Sequence, residues 1–501
     1  LAVEISRFFG QASLAALELY LNSGDEKYLE EYFLFSEENK SHILTTLRYR
    51  SNAVKELRLP DSLGKKEKSY RDKINALEVR IYREKSEKEL PDSMLLAGLY
   101  VEICKTLEEY DRFKNGLKGQ YRDYRNVSDI QPVVKLEDLK GIMDHSHALV
   151  TFEVVEHMYS KNNYLISCFI TADTIMPLVV PLSEDFYSGF EIFRSSLCNP
   201  VCEEGSAKNK FITTARHLFD VLLLPGMEVI SGKDLVIVPD EWLCHIPFEA
   251  LVTREPGPGA EFRDLPWLIR EHAVSYASSA TLYYEGLKHQ DKKTSSNTLL
   301  AFAPVTEKQQ EYSDKLIAEW ISRGEDLGAL KESKSEVAYI QGIFGGRIYT
   351  GLEATEAEFK QNAGQYEMIH IATHGIVDDA FPMNSKLLFA KDPAAQEDGC
   401  LNVYELYAMD LQAKMAVLSA CNTGYGKIQN GEGVISLARG FAYAGVPSVV
   451  MSLWKVRDRS TSLLMQKFYT HLKAGKTKDR ALQLAKLEYL EGSDPFFSDR
   501  K

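Results

Sequence analysis

The sequence predicts an all-α segment followed by an α/β fold with a mostly parallel sheet, and three observations carry that prediction. Apolar residues recur at spacings of three and four through the first 140 residues, where glycine and proline are sparse. Short β-branched and aromatic runs begin near residue 147. Beyond that point such runs alternate with helical-looking stretches, the pattern of a sheet covered by helices. With 501 residues, at roughly 100–200 residues per domain, the chain should hold several folding units.

The helical segment is justified by its periodicity. Tyr70, Ile74, Leu77 and Ile81 share one helical face, as do Leu96, Tyr100, Ile103, Leu107 and Tyr110. Pro60 followed by Asp61 and Ser62 predicts a helix start, and Pro91-Asp92-Ser93 predicts a stop followed by a new start. These helices should be long and packed antiparallel. The charged runs Lys65-Lys66-Glu67-Lys68 and Arg83-Glu84-Lys85 read as solvated faces. A 34-residue helical repeat with its signature positions is not evident. The segment is either a partner-sensing arm or a packing platform.

Charge and cysteine content narrow the function classes. Apolar residues make up 45% and charged residues 26%, which excludes a wholly disordered or collagen-like chain. The net charge is −13. Residues 1–140 are nearly balanced, with 25 acids and 24 bases, so the excess of acid lies further along. A backbone-phosphate reader needs a basic face, so direct nucleic-acid contact is not expected. Seven cysteines without a paired metal-like spacing fit reduced thiols, with Cys198 and Cys202 the closest pair. No metal or cofactor is expected, because the histidines are scattered without ligand spacing. No apolar run is long enough for a bilayer and no leader precedes Leu1, so a cytoplasmic location is expected. Lacking an initiator methionine, the chain reads as a fragment.

Strands are expected over 148–155, 164–170, 235–238, 299–303, 347–349, 368–373, 415–419 and 448–452. Linkers are expected near 126–146, at Pro256-Gly257-Pro258-Gly259 and around 289–297. Two strand ends hold chemistry. The run Met368 to Thr373 stops at His374-Gly375, and Met415 to Ala420 stops at Cys421-Asn422-Thr423-Gly424. In open parallel sheets, substrate meets the loops beyond the carboxyl ends of strands. His374 and Cys421 lie 47 residues apart, which suits neighbouring strands joined by one crossover. A thiol is only partly ionised at neutral pH; an imidazole beside it raises the thiolate fraction and then protonates a leaving amine. Glycines close behind both residues let backbone N–H groups approach a tetrahedral oxyanion. Alone, Cys421 would read as a buried hydrophobe and His374 as a hydrogen-bonded structural residue. Together they read as a catalytic dyad for acyl transfer through a thioester. His370 lies inside its strand and reads as structural.

The motifs His370-Ile-Ala-Thr-His-Gly375, Leu418-Ser-Ala-Cys-Asn-Thr-Gly424, Gly431-Glu-Gly433, Ala438-Arg-Gly-Phe441 and Ser452-Leu-Trp-Lys-Val-Arg-Asp458 occur in the order that resembles the CHAT domain. Upstream, Leu235-Val-Ile-Val-Pro-Asp240, Ile246-Pro-Phe-Glu-Ala-Leu251 and Ser275-Tyr-Ala-Ser-Ser-Ala280 fit the same pattern. The resemblance spans roughly 147–495. It implies a caspase-like, separase-related cysteine peptidase with a degenerate half over 147–295 and an active half over 296–501, behind a tetratricopeptide-like helical arm over 1–140. It gives His374 the role of general base and acid, Cys421 that of nucleophile, and the N–H groups of Gly375 and Cys421 that of oxyanion hole. Asp458 resembles a pocket residue that would pair with Arg or Lys before the scissile bond; it also reads as a helix N-cap. Glu432 is a second pocket candidate or a surface loop residue. The implied partner is one protein substrate, such as a gasdermin or another effector encoded nearby, cut in bacterial defence or programmed death, with regulation through the arm. The alternative is a silent scaffold that only binds proteins. The chain departs from the family in reaching Asp494-Pro-Phe-Phe497 without the closing Trp-containing strand.

Overall fold

The computed structural model describes residues 2–40, 60–86, 92–120, 133–156, 163–198, 205–257, 259–288, 297–304, 330–378, 381–391, 397–420, 427–429, 433–454 and 456–492. The anticipated long helices form: α1 (Ala2–Ser23), α2 (Glu26–Glu38), α3 (Asp61–Ser86) and α4 (Ser93–Gln120). Asp25 caps α2 through the Lys27 N–H, and Asp92 caps α4 by accepting from Met94 and Leu95. In the α3/α4 hairpin, Leu77, Ile81, Leu99 and Ile103 form a small core. Each charged run contains a buried glutamate. Glu67 is buried and accepts from the Tyr110 hydroxyl at 3.0 Å, and Glu84 is buried and accepts from the Asp92 N–H at 2.9 Å.

The helix α5 (Leu136–Ile142) interrupts the expected linker and leads into β1 (His147–Glu156), β2 (Asn163–Ile170) and β3 (Ile175–Pro181). Then come α6 (Glu184–Cys198), α7 (Gly205–Leu222), the single turn α8 (Met227–Ile230), β4 (Asp234–Val238), β5 (Val274–Tyr276) and α9 (Ala280–Lys288). The first sheet runs β3-β2-β1-β4-β5; β1, β4 and β5 are parallel, whereas β2 and β3 are antiparallel additions. One face packs on α6 and α7 through an aromatic-rich core that includes Phe152, Phe186, Phe193 and Phe219. The other face carries α1, α2, α5 and α9: Leu17, Leu29, Tyr32 and Phe33 share a core with Leu149, Ile166 and Ile170. The first two helices of the arm are therefore an outer layer of this half.

The second half comprises β6 (Asn297–Pro304), α10 (Ser333–Phe344), β7 (Arg347–Gly351), α11 (Glu356–Asn362), β8 (Tyr366–Ala372) and β9 (Gly375–Ile376), then β10 (Lys386–Leu388), β11 (Cys400–Asn402) and α12 (Val403–Ala408). It continues with β12 (Met415–Ser419), the hairpin strands β13 (Lys427–Gln429) and β14 (Gly433–Ile435), α13 (Leu437–Tyr443), β15 (Val449–Val450), α14 (Asp458–Lys473) and α15 (Lys478–Glu491). Its main sheet, β15-β12-β8-β6-β7, is entirely parallel. One face packs on α11, α12 and α13, the other on α10, α14 and α15. Gly346 at the α10–β7 turn has φ +92, and a Cβ there would lie 2.2 Å from the Leu299 carbonyl oxygen, so only glycine fits. The result is the expected α/β class, an all-α segment followed by largely parallel sheets with helices on both faces. No helix among the described residues is long and apolar enough to cross a membrane.

Candidate active site

The candidate site is built on the central strand β8 and its neighbour β12, most of whose residues are buried. They pair in parallel with Met415 opposite Met368 and Ser419 opposite Ala372. Each strand is followed two residues later by one member of the dyad: His374 after Ala372, Cys421 after Ser419. The chain reverses its direction of sheet growth at β6, which has β7 on one side and β8 on the other, so β8 borders a topological switch point.

His374 is partly exposed. Its backbone is pinned: the Leu388 N–H donates to the His374 carbonyl at 3.0 Å, and the buried Thr373 hydroxyl donates to the Leu388 carbonyl. In the antiparallel β9/β10 ladder Leu387 faces Gly375. Since Leu388 and His374 form a hydrogen-bonded pair, the next pair is of the non-bonded kind, and the Gly375 N–H points away from β10. On the β12 side, the Ser452 hydroxyl donates to the Ala420 carbonyl at 2.6 Å and ties the strand end to the segment after β15. Cys421 and Glu432 lie outside the described residues, as does the chain beyond Gly492.

Asp458 begins α14, with Arg457 at the N-cap position, so the N-cap alternative is replaced by another contact. Its carboxylate accepts the Glu332 N–H just ahead of α10 at 2.9 Å. Burial pushes the Asp458 carboxyl up, opposed by that N–H and reinforced by the nearby Glu336 and Glu332 charges. His370 is fully buried against α10 and α14, 3.1 Å from the Tyr469 hydroxyl and 2.8 Å from the Glu336 carboxylate, which makes it a core residue as expected. The thiols of buried Cys168 and half-buried Cys244 are pushed up to about 12, chiefly by burial, so neither is a ready nucleophile.

Among the described residues, two clusters have metal-like proximity, His147/Asp234/Asp479 and Glu356/Glu397/Glu405. Both already hold a protein cation. Arg480 lies 2.9 Å from Asp234, and the Lys360 ammonium lies 2.6, 2.8 and 2.8 Å from Glu356, Glu397 and Glu405. The Lys360 cluster anchors β11, and through β10 it supports β9 and the residue before it. Sequence reading missed the short sheet β9–β11 because its strands have two or three residues each, too few to show a period.

Comparison with known proteins gives the following similarities. Human tetratricopeptide repeat protein 28 is 26% identical over 309 residues, which cover 53% of this chain and 12% of that protein. Among solved structures, the Saccharomyces cerevisiae separase–securin complex is similar with a TM-score of 0.38 and 9% identity, covering 74% of this chain and 31% of that one. A family model described as the CHAT domain matches residues 213–498, more than half of the chain and all of the second half's sheet. The chain belongs to the CHAT domain family.

Proposed function

We propose that the protein is a cysteine endopeptidase in which Cys421 is the nucleophile and His374 the general base and acid. The observation that carries this reading is the β8/β12 register, which ends both strands level with each other two residues before the dyad. In the proposed cycle His374 takes the Cys421 proton, and the sulfur attacks the scissile carbonyl carbon. The oxyanion accepts the N–H groups of Gly375 and Cys421. Collapse breaks the C–N bond, His374 protonates the leaving amine, and a water deprotonated by His374 then hydrolyses the thioester. Asp458 or Glu432 would select a basic residue before the cut. The substrate class is a protein partner such as a gasdermin-like effector, and the setting is defence or programmed death in the cytoplasm.

The test is labelling with a thiol-reactive peptide warhead carrying Arg or Lys, read by peptide mass spectrometry. Selective labelling of Cys421 that drops at least about a hundredfold in His374→Ala supports the dyad. Labelling spread over the other cysteines, unaffected by His374→Ala, would instead make the domain a scaffold.

A further inference from the structure

The first half carries an unusual turn where it meets the second. After β4, Asp240 accepts the N–H of Val154 and of Glu241, both at 2.9 Å, and so fixes the chain as it leaves the sheet. Glu241 has φ 46 and is the non-glycine residue in the left-handed region among the described residues. That conformation is uncommon for a long side chain and persists only where its surroundings demand it. The 3₁₀ turn it opens, Glu241–His245, lies alongside both strands of the β13/β14 hairpin. This hairpin begins six residues after Cys421 and runs into α13. The charge of Arg439 on α13 is among those that bear on this turn, opposing the burial that raises the Cys244 thiol. Burial and the neighbouring Asp240 also push the Glu241 carboxyl up to about 7, a second cost tolerated at this position.

We propose that the Asp240–Glu241 turn is a positioning element of the second half, seating the β13/β14 hairpin that follows Cys421 in the sequence. The inference rests on the peptidase reading for its functional consequence, and on the turn's own geometry for the seat. Asp240 and Glu241 touch no reacting atom; they act through the hairpin. The first half thus supplies part of the frame around the second half's candidate site.

The experiment uses the full chain with Glu241→Val, which resists a left-handed φ, and with Glu241→Gly and Glu241→Asn, which accept it. Two readouts are taken: hydrogen exchange of peptides carrying Lys427–Gln429 and Gly433–Ile435, and the alkylation rate of Cys421 by iodoacetamide across a pH series. Expected are faster hairpin exchange and a loss of at least about tenfold in Cys421 alkylation at neutral pH for Glu241→Val. Rescue of both is expected in the glycine and asparagine variants. Wild-type exchange in Glu241→Val would overturn the seat, and altered exchange with unchanged alkylation would overturn its link to the site. Should Glu241→Val fail to fold, Glu241→Ala takes its place with the same outcomes. Wild-type Cys421 alkylation indifferent to His374→Ala would refute the peptidase reading instead, and hairpin exchange would still decide the seat.

Discussion

At the scale of single residues, the least expected groups are the buried carboxylates. Glu153 lies on β1 beneath the arm, accepts from the Ser13 hydroxyl at 2.9 Å, and is pushed up to about 7, mainly by burial against the pull of the Lys40 charge. A carboxyl raised in the folded state binds its proton more tightly there than in the unfolded chain. Its contribution is therefore intact below about 4.5 and is lost as the pH rises through about 7. Glu153→Gln removes that loss. Relative to wild type, its urea-unfolding free energy should improve by up to about 3 kcal/mol between about pH 5 and about pH 8. A constant difference across that range would show that Glu153 ionises freely. Periodicity could not reveal such a residue, since in β1 it alternates like any inward-facing position. The same holds for Glu67 and Glu84, each buried within a run of charged residues in the sequence.

At the scale of elements, the long periodic segments were legible and the short ones were not. The strands anticipated at 415–419 and 347–349 occur at Met415–Ser419 and Arg347–Gly351, because runs of β-branched and apolar residues between turn signals leave few alternatives. In contrast β3 and β5 hold their places through neighbouring strands rather than through their own pattern. The Lys360 cluster is the clearest tertiary device of this kind. Glu356 is buried and accepts the N–H groups of Gly399 and Cys400, while Lys360 offsets the three carboxylates around it. Lys360→Met should destabilise the chain by about 3–5 kcal/mol near pH 8. The loss should shrink near pH 5, where Glu356, already raised to about 7 by burial, takes up a proton. Thermal unfolding at the two pH values checks this.

At the scale of the molecule, the sequence marks off an arm over 1–140, whereas α1 and α2 share the core of the first half. Glu37 of α2 shows how closely. Its carboxylate accepts the N–H groups of Ala280 and Thr281 at 3.0 and 2.8 Å, and so caps α9 from more than 240 positions away. Glu37→Ala leaves three buried donors unmet, the two N–H groups and the Thr281 hydroxyl, and should cost about 2–4 kcal/mol in urea unfolding. A change below about 0.5 kcal/mol would instead mean that water reaches the α9 terminus. The α3/α4 hairpin is a separate case, with its own core and with α3 lying along α12 of the second half. Composition made the helices plain. The choice of which half each covers depended on apolar faces whose partners lie far along the chain.

The last described helix belongs in order to the second half and in bonding to both. From α15, Asp479 meets His147, Arg480 meets Asp234, Gln483 donates to the Ile269 carbonyl at 2.7 Å, and Lys486 meets Glu249 at 2.7 Å. On the ribosome, β8 and β12 emerge before this clasp does. A nascent chain would thus carry both candidate strand ends before these four bonds between its halves can form, and only synthesis through Lys486 would complete them.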